Sequence, residues 1–160
     1  MSEQRTDHRV PPGEDDRLEA AWRLKERIRR REGVLAQRRN FFVTQYRRSM
    51  DYLEAGEDGL IGFAVVRSDG YLSMLGVDPD RRRTGVGRRL VARAAGEFDR
   101  VTCHTRASND GAVAFYTELG FAVDRRVDDY YRDGDDALLL ALAADRDGDG
   151  VVDRLTDLLE

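Results

Sequence analysis

A short loop from Arg82 to Gly87 combines the residue types that phosphate binding requires. Gly85 and Gly87 have no side chains, so the backbone there can bend freely and lie close to a ligand. A helical pattern follows, and the first N–H groups of a helix are unpaired and carry partial positive charge that attracts anions. Flanking arginines would add charge and paired donors. They are Arg81, Arg82, Arg83, Arg88 and Arg89.

The loop matches neither of two common nucleotide-binding motifs. It lacks the third glycine of the dinucleotide fingerprint, and it lacks the Gly-Lys-Ser/Thr string of a triphosphate-binding loop. Arg-x-x-Gly-x-Gly is a short string that also occurs in ordinary turns. Taken alone, it fits either an anion-binding loop or a strand-to-helix turn with a solvated arginine cluster.

A second motif runs from Asn109 to Phe121. It reads Asn109-x-x-Ala112-x-x-Phe115-Tyr116-x-x-x-Gly120-Phe121. Each of these residues has a packing or capping explanation, because asparagine caps helix starts and glycine ends helices. Packing does not explain why the two motifs occur together. In this order, with a strand between them, they resemble the motifs of the GCN5-related N-acetyltransferase (GNAT) superfamily, and the resemblance extends from about Leu60 to Leu142.

The resemblance implies a fold and an activity. The fold is α/β (α+β), with a mixed, mostly antiparallel sheet of six to seven strands and helices on both faces. The activity is direct transfer of an acetyl group from acetyl-CoA to a primary amine, which could be a protein N-terminus, a lysine side chain or a small amine. Two other functions stay open: a non-catalytic acyl-CoA-binding regulator, and a nucleic-acid-binding accessory protein that uses arginine-rich helices.

The resemblance also implies which residues bind coenzyme A. The strand before the loop would bind the pantetheine arm through backbone groups of Leu75, Gly76 and Val77. The loop would bind the pyrophosphate. Its residues are Arg82, Arg83, Thr84, Gly85, Val86, Gly87 and Arg88. The second motif would contribute Asn109, Ala112 and Tyr116.

Two residues are candidates for acid–base catalysis. In the family, the tyrosine at the position of Tyr116 often protonates the leaving thiolate; core burial is the alternative. The ribosomal-protein N-terminal acetyltransferase branch carries a catalytic Glu in a Glu-x-Arg-x-Ser-Asn pattern, and here that register reads His104-Thr-Arg106-Ala-Ser108-Asn109. Histidine titrates near neutral pH and could replace the Glu as base. The alternative is a strand histidine without a catalytic role, with water as the base.

The neighbours of these candidates have their own interpretations. Cys103 precedes His104, so on a strand the two side chains face opposite sides. We therefore expect Cys103 in the core and no Cys–His nucleophilic pair. Tyr130 and Tyr131 resemble hairpin tyrosines that help hold the acceptor peptide in the protein N-terminal acetyltransferase branch. Ordinary hairpin packing is the alternative.

Apolar spacing predicts the elements that position these residues. Capped by Asp15 or Asp16, a helix would end at Gly33, and a second helix would follow it to Met50. Three meandering strands come next, then two strand–helix units and a final strand. The predicted strands are 50–55, 60–66, 71–77, 101–106 and 137–142. Residues 1–12 would be poorly ordered or form a short first strand.

Residues 145–160 are an acidic tail after the predicted acetyltransferase domain of residues 1–144. Four aspartates of the tail occupy positions 1, 3, 5 and 9 of an EF-hand-type calcium loop. They are Asp145, Asp147, Asp149 and Asp153. Position 12 should be a bidentate Glu, but here it is Thr156. Weak Ca²⁺ binding and a solvating tail are therefore both open.

Composition bounds the remaining function classes. The chain has 160 residues and a net charge of −4, which does not favour nucleic acid as a partner. Residues 17–48 contain eleven Lys or Arg and three acidic residues, a net charge of +8. A charge run is usually a solvated helix face, so we favour that interpretation over a nucleic-acid surface. The single cysteine excludes an intrachain disulfide, and no apolar run suits a membrane span or signal peptide. We expect a cytoplasmic protein, monomeric or homodimeric, with no membrane partner.

Overall fold

The computed structural model describes residues 13–143, which form two compact units. The first unit comprises the described residues up to Ser68 together with Leu72–Val91, and the second comprises Asp69–Tyr71 and the described residues from Ala92 onward. None of the helices within residues 13–143 is long and apolar enough to cross a membrane. The predictions made for residues 1–12 and for the calcium-binding aspartates of the tail lie outside the described residues.

Helix α1, Glu14–Glu32, opens the first unit. The predicted caps, Asp15 and Asp16, are wrong, because Gly13 occupies the N-cap position and both aspartates lie within the first turn. There they still face the positive end of the helix dipole, which favours acidic side chains. The predicted end is confirmed, since Gly33 adopts the left-handed conformation, with φ 71°, and closes the helix.

Helix α2, Arg39–Arg48, is shorter than the apolar pattern predicts. The connection before it is not helical because Leu35 has a φ of 55°, which a right-handed helix cannot contain. The buried ammonium group of Lys25 donates a hydrogen bond to the carbonyl of Gln37 in this connection. It also lies 4.6 Å from the ring centroid of Trp22. These contacts hold the connection in its non-helical form.

Many arginines of α1 and α2 form ion pairs with acidic side chains of the first unit. The pairs are Arg27–Asp78, Arg29–Glu26, Arg31–Asp80, Arg39–Glu19 and Arg47–Asp15. A surface that bound nucleic acid would instead present unpaired cations to phosphates. The pairing therefore supports a solvated helix face, as the composition suggested.

The first unit contains an antiparallel sheet of three strands in the order β1-β2-β3. These are Met50–Gly56, Gly59–Val66 and Leu72–Val77. Met50 therefore begins a strand instead of ending helix α2. The sheet and the two helices bury one apolar core. Its members are Leu18, Ala21, Leu24, Ile28, Phe42, Tyr46, Phe63, Val65 and Met74.

Helix α3, Val86–Ala95, leads along the chain from the first unit into the second. The second unit contains strand β4, helix α4 and strands β5 and β6, and its sheet has the order β4-β6-β5. These elements are Arg100–Arg106, Asp110–Glu118, Ala122–Val127 and Ala137–Ala143. An isolated parallel bridge joins Tyr71 to Thr102. The predicted class, α/β with mostly antiparallel strands, is confirmed, and the six described strands lie within the predicted range.

Strand β4 presents two different faces. Val101, Cys103 and Thr105 are buried, whereas His104 and Arg106 are only partly buried. This is the period-two alternation of a strand that covers a core on one side. It confirms that Cys103 belongs to the core and faces away from His104.

Candidate active site

The loop after β3, in the first unit, keeps the start of helix α3 open. The carbonyl of Gly85 accepts the first hydrogen bond of the helix from the N–H of Arg89, at 3.0 Å. The N–H groups of Val86 and Gly87, in the first turn, therefore have no acceptor within the helix. Two such donors at the positive end of a helix fit an anionic group such as a diphosphate.

Conformation and space both require glycine at position 85. Its φ is 88°, and a Cβ there would lie 2.9 Å from Nη1 of Arg89. Arg89 has little freedom to move, because Nε and Nη2 donate to the carboxylate of Glu54 at 2.8 and 2.5 Å and Nη1 donates to the carbonyl of Thr84 at 3.2 Å. Arg89 therefore braces the loop instead of offering free donors to a ligand.

Arg82 is also held by protein groups. Its Nη2 lies 2.5 Å from Oε1 of Glu32, and its Nε and Nη2 donate to the carbonyl of Val77 at 3.2 and 3.1 Å. Arg83 and Thr84 are exposed, and Arg83 has a φ of 64°. Arg82 thus fixes the loop to the end of β3. The predicted pyrophosphate contacts of these loop residues stay predictions.

Gly76 has a packing role that does not depend on a cofactor. A Cβ there would lie 2.5 Å from Cε1 of Phe63 and 3.0 Å from Cδ1 of Ile28. Strand β3 is at the edge of its sheet, so the backbone groups on its outer side do not pair within that sheet, although the carbonyl of Val77 accepts hydrogen bonds from Arg82. This is compatible with the predicted backbone contacts to pantetheine, which stay predictions.

Sequence reasoning missed Gly62, which lies on β2. A Cβ there would lie 2.5 Å from Cγ1 of Val86 and 3.0 Å from Cδ1 of Leu90. The bare backbone at this point is therefore what lets the first turns of α3 pack on the strand. A glycine inside an apolar strand was the available signal, because such a glycine often marks a close approach.

Asn109, in the second unit, caps helix α4. Its Oδ1 accepts a hydrogen bond from the N–H of Ala112 at 3.0 Å, and its carbonyl accepts one from the N–H of Val113 at 3.0 Å. Asn109 and Ala112 thus fix the start of the helix that carries Tyr116. Their predicted contact with coenzyme A stays a prediction.

Tyr116 lies in an aromatic and sulfur environment. The ring centroids of Phe115 and Phe121 are 5.0 and 5.1 Å from its own, and its hydroxyl is hydrogen-bonded with the thiol of Cys103. Burial, followed by the influence of Cys103 and Tyr71, raises the pKa of Tyr116 well above its ordinary value. The phenol is therefore neutral and holds a proton, as a general acid must. Burial also raises the pKa of Cys103 to about 12, so the thiol is not a nucleophile at neutral pH.

His104 contacts two tyrosines of the same unit. Its Nδ1 lies 3.0 Å from the hydroxyl oxygen of Tyr71. The ring of Tyr130 stacks on the imidazole, with centroids 4.9 Å apart and planes inclined by 10°. If Nδ1 carries the ring proton and donates it to Tyr71, then Nε2 has a lone pair with which to accept a proton.

Burial lowers the pKa of His104, and the charge of Arg125 lowers it further. The imidazole is therefore mostly neutral at pH 7. A neutral imidazole is the form that can act as a general base.

Arg106 anchors the loop after β5. Its Nη1 donates to both carboxylate oxygens of Asp133, at 2.9 and 2.8 Å, and the guanidinium lies 4.1 Å from the ring centroid of Tyr131. The hydroxyl of Ser108 donates to Asp135 of the same loop at 2.5 Å. The loop that holds the predicted acceptor-binding tyrosines is thus tied to the end of β4.

Of the predicted residues, the second unit brings His104 and Tyr130 into contact, adds Tyr71 to them, and also contains Tyr116. Tyr116 contacts Cys103, on the buried face of β4, whereas His104 belongs to the other face. Tyr71 hydrogen-bonds with His104 and also influences the pKa of Tyr116. Nothing local in the sequence indicated Tyr71. Within residues 13–143 no cluster of three His, Cys, Asp or Glu side chains is placed to hold a metal ion.

Comparison with known proteins places the chain in a family. The family model described as "Acetyltransferase (GNAT) family" matches residues 10–121. The [Ribosomal protein bS18]-alanine N-acetyltransferase of Salmonella typhimurium (strain LT2) is 32% identical to this chain over 138 residues, which are 78% of this chain and 90% of that protein.

A solved structure and a second relative agree with this match. The ribosomal-protein-S18-alanine N-acetyltransferase from Escherichia coli superimposes with a TM-score of 0.70 and 28% identity, covering 86% of this chain and 94% of that one. N-alpha-acetyltransferase 30 of Homo sapiens is 42% identical over 78 residues, 46% of this chain but only 22% of that relative's length. The chain belongs to the acetyltransferase (GNAT) family.

Proposed function

We propose that this chain transfers the acetyl group of acetyl-CoA to the free amino group at a polypeptide N-terminus. The observation that carries the proposal is the placement of a half-buried, mostly neutral His104 against the hydroxyl of Tyr71 and the ring of Tyr130. Membership of the family supports acetyl-CoA as the acyl donor. The names of the relatives that cover most of the chain support a protein amine as acceptor.

Each residue has a defined task in this proposal. When bound, acetyl-CoA supplies an acetyl group activated as a thioester. The N–H groups at the start of α3 bind the diphosphate. His104 accepts the proton that the attacking amine must lose, through Nε2 or one water. Tyr116 holds a proton that it can donate to the departing sulfur, because its phenol stays neutral.

The loop after β5, which carries Tyr130 and Tyr131, suits an extended acceptor. Tyr130 is 49% exposed although one face of its ring stacks on His104. An exposed aromatic ring beside the base offers a surface on which the first residues of a peptide can pack. Its neighbour Tyr131 is fixed by Arg106, so the loop is already ordered before a peptide arrives.

The first test is calorimetric titration with acetyl-CoA. Thr84→Glu places a carboxylate in the exposed loop before α3, where it would repel the diphosphate. Gly96→Glu is the matched control, because it adds the same charge just beyond the other end of the same helix. Binding by wild type and control that the Thr84→Glu variant loses supports the site. A folded wild-type protein that does not bind acetyl-CoA would overturn the proposal.

The second test is release of free coenzyme A with three acceptors. One is a lysine-free peptide with a free N-terminus, the second is an N-terminally blocked peptide with one lysine, and the third is a small primary amine. Turnover with the first peptide alone is the expected result. Turnover with only the lysine peptide or the small amine would reassign the acceptor. Binding without any turnover would mean a non-catalytic acyl-CoA-binding protein.

A further inference from the structure

Arg125 and His104 belong to one row of the second sheet. Leu139 of the central strand β6 pairs with His104 of β4 on one side and with Arg125 of β5 on the other. Residues directly opposite one another in antiparallel strands point to the same face of the sheet. His104, Leu139 and Arg125 therefore share a face. Two strand spacings separate the Cα atoms of the two outer residues, a distance of about 10 Å.

Three neighbouring arginines of the second unit differ from Arg125 in having aspartate partners. Arg100 lies 3.4 Å from Asp124, and Arg126 lies 2.5 Å from Asp136. Arg106 is bound to Asp133, as described above. Arg125 is exposed, and within residues 13–143 it makes no ion pair or hydrogen bond through its side chain.

The positive charge of Arg125 acts on His104, the proposed base, and on the acceptor that His104 would deprotonate. The charge of Arg125 lowers the pKa of His104, so it is close enough to be felt at the imidazole. An acceptor whose amine meets His104 would extend over Leu139 toward Arg125. A peptide advances about 3.3–3.6 Å per residue, so its first or second side chain reaches the guanidinium. A carboxylate there would form the paired hydrogen bonds that guanidinium groups favour.

We propose that Arg125 is an acceptor-binding residue that selects amines carrying a nearby carboxylate, as in a polypeptide whose first or second residue is Asp or Glu. The proposal rests on the proposed function and deepens it, because it gives the acceptor a chemical class. A lysine or arginine at the same acceptor position would be disfavoured by like charge. A free amino acid offers the same chemistry through its α-carboxylate.

The test compares acidic peptides with their amides. The peptides contain no lysine and form pairs with Asp against Asn, or Glu against Gln, at the first or second position. The two members of a pair differ in charge but hardly in shape. We expect wild-type kcat/KM to favour the acidic member by about fivefold, the size of a partly exposed ion pair. Arg125→Gln should bring this ratio close to one, and Arg125→Glu should invert it. A further assay uses free aspartate as the acceptor, which distinguishes a small-molecule acceptor from a peptide.

The ratio is the informative quantity. Removing Arg125 also changes the pKa of His104, but that change affects both members of a peptide pair equally and cancels. Arg100→Gln is the matched control, because it removes the same charge four residues along β4 from His104 and should leave the ratio unchanged.

The outcomes separate this proposal from the proposed function. Equal rates of transfer to both members of a peptide pair, or a preference for the acidic peptide that survives in Arg125→Gln, would overturn the role of Arg125. The proposed function would stand. Turnover with free aspartate and not with the acidic peptides would overturn the peptide acceptor while keeping the carboxylate site. No transfer to any acceptor would overturn the proposed function.

Discussion

The hydroxyl oxygen of Tyr71 lies 3.0 Å from Nδ1 of His104. In the tautomer whose Nδ1–H donates to Tyr71, the lone pair is on Nε2, and Nε2 is then the imidazole nitrogen that can act as a base. In the proposed mechanism Tyr71 acts through His104 and has no proton transfer of its own. It is a positioning residue for His104.

Tyr71→Phe should therefore lower kcat about tenfold, the value of one net hydrogen bond, while the Kd for acetyl-CoA stays the same. Imidazole ¹⁵N chemical shifts would show the cause, since the population protonated at Nδ1 should fall in the variant. An unchanged tautomer together with an unchanged kcat would exclude the positioning role.

His104 should control the acid limb of the pH profile. The base must be neutral, so kcat/KM should rise as pH increases through the pKa of His104 and should be lost as pH falls below it. Burial and Arg125 lower that pKa, so the limb should lie below the usual range of a histidine. His104→Gln should reduce kcat about 10²–10³-fold and abolish the limb.

His104→Glu is the informative companion variant. A carboxylate titrates below an imidazole, so this variant should keep part of the activity and move the limb to lower pH. An identical acid limb in wild type and both variants would mean that a group other than His104 is the base.

Tyr116→Phe should separate proton donation from packing. The substituted ring keeps its contacts with Phe115 and Phe121 and loses only the hydroxyl that is bonded to Cys103. We expect kcat to fall about 10²-fold with little change in the melting temperature. Cys103→Ser keeps a hydrogen-bonding group beside the hydroxyl and is the control, for which near-normal turnover is expected. Full activity in Tyr116→Phe would contradict the role of general acid.

Arg106→Gln should weaken acceptor binding. It removes the ion pair with Asp133 and the cation that lies over Tyr131, so the loop that carries Tyr130 loses its anchor. The KM for the peptide should rise several-fold while the Kd for acetyl-CoA is unchanged. The effect on the free energy of unfolding should be small, because the ion pair is exposed and screened by solvent. A change in acetyl-CoA affinity alone would argue against a role in holding the acceptor.

Asp51 should make the first unit less stable at alkaline pH. Its Oδ1 is buried without a hydrogen-bond partner among residues 13–143. Burial, and to a smaller extent the charge of Glu14, raises its pKa to about 8. An unfolded aspartate loses its proton near pH 4, so between about pH 4 and pH 8 the folded state binds more protons and stability falls as pH rises.

Asp51→Asn removes this titration. Its melting temperature should exceed that of the wild type by more at pH 8 than at pH 5. Asp58→Asn, at an exposed turn residue, is the control and should show the same difference from wild type at both pH values. A constant difference for Asp51→Asn as well would show that Asp51 is ionised in the folded protein.

The local elements of this protein follow from patterns that lie within a few residues of one another. Glycine at position 33 ends α1, and Asn109 caps α4, because turn and cap chemistry depends on adjacent backbone groups. Strand alternation likewise placed Cys103 in the core and His104 on the opposite face. The start of α1 and the length of α2 were misjudged, since packing around Lys25 and the backbone of Leu35 override the apolar pattern.

The sequence by itself determined the family, and it predicted an anion-binding role for the loop and three members of the candidate site: His104, Tyr116 and Tyr130. Only the tertiary structure showed that Tyr71 contacts His104 and that Arg125 lies in its row, because strand pairing joins residues that are far apart in the chain. It also showed that Arg82 and Arg89 brace the loop with their donors. The sequence gives the order and spacing of residue types. Whether a side chain can accept a proton or is an unpaired cation depends on its neighbours in the folded structure.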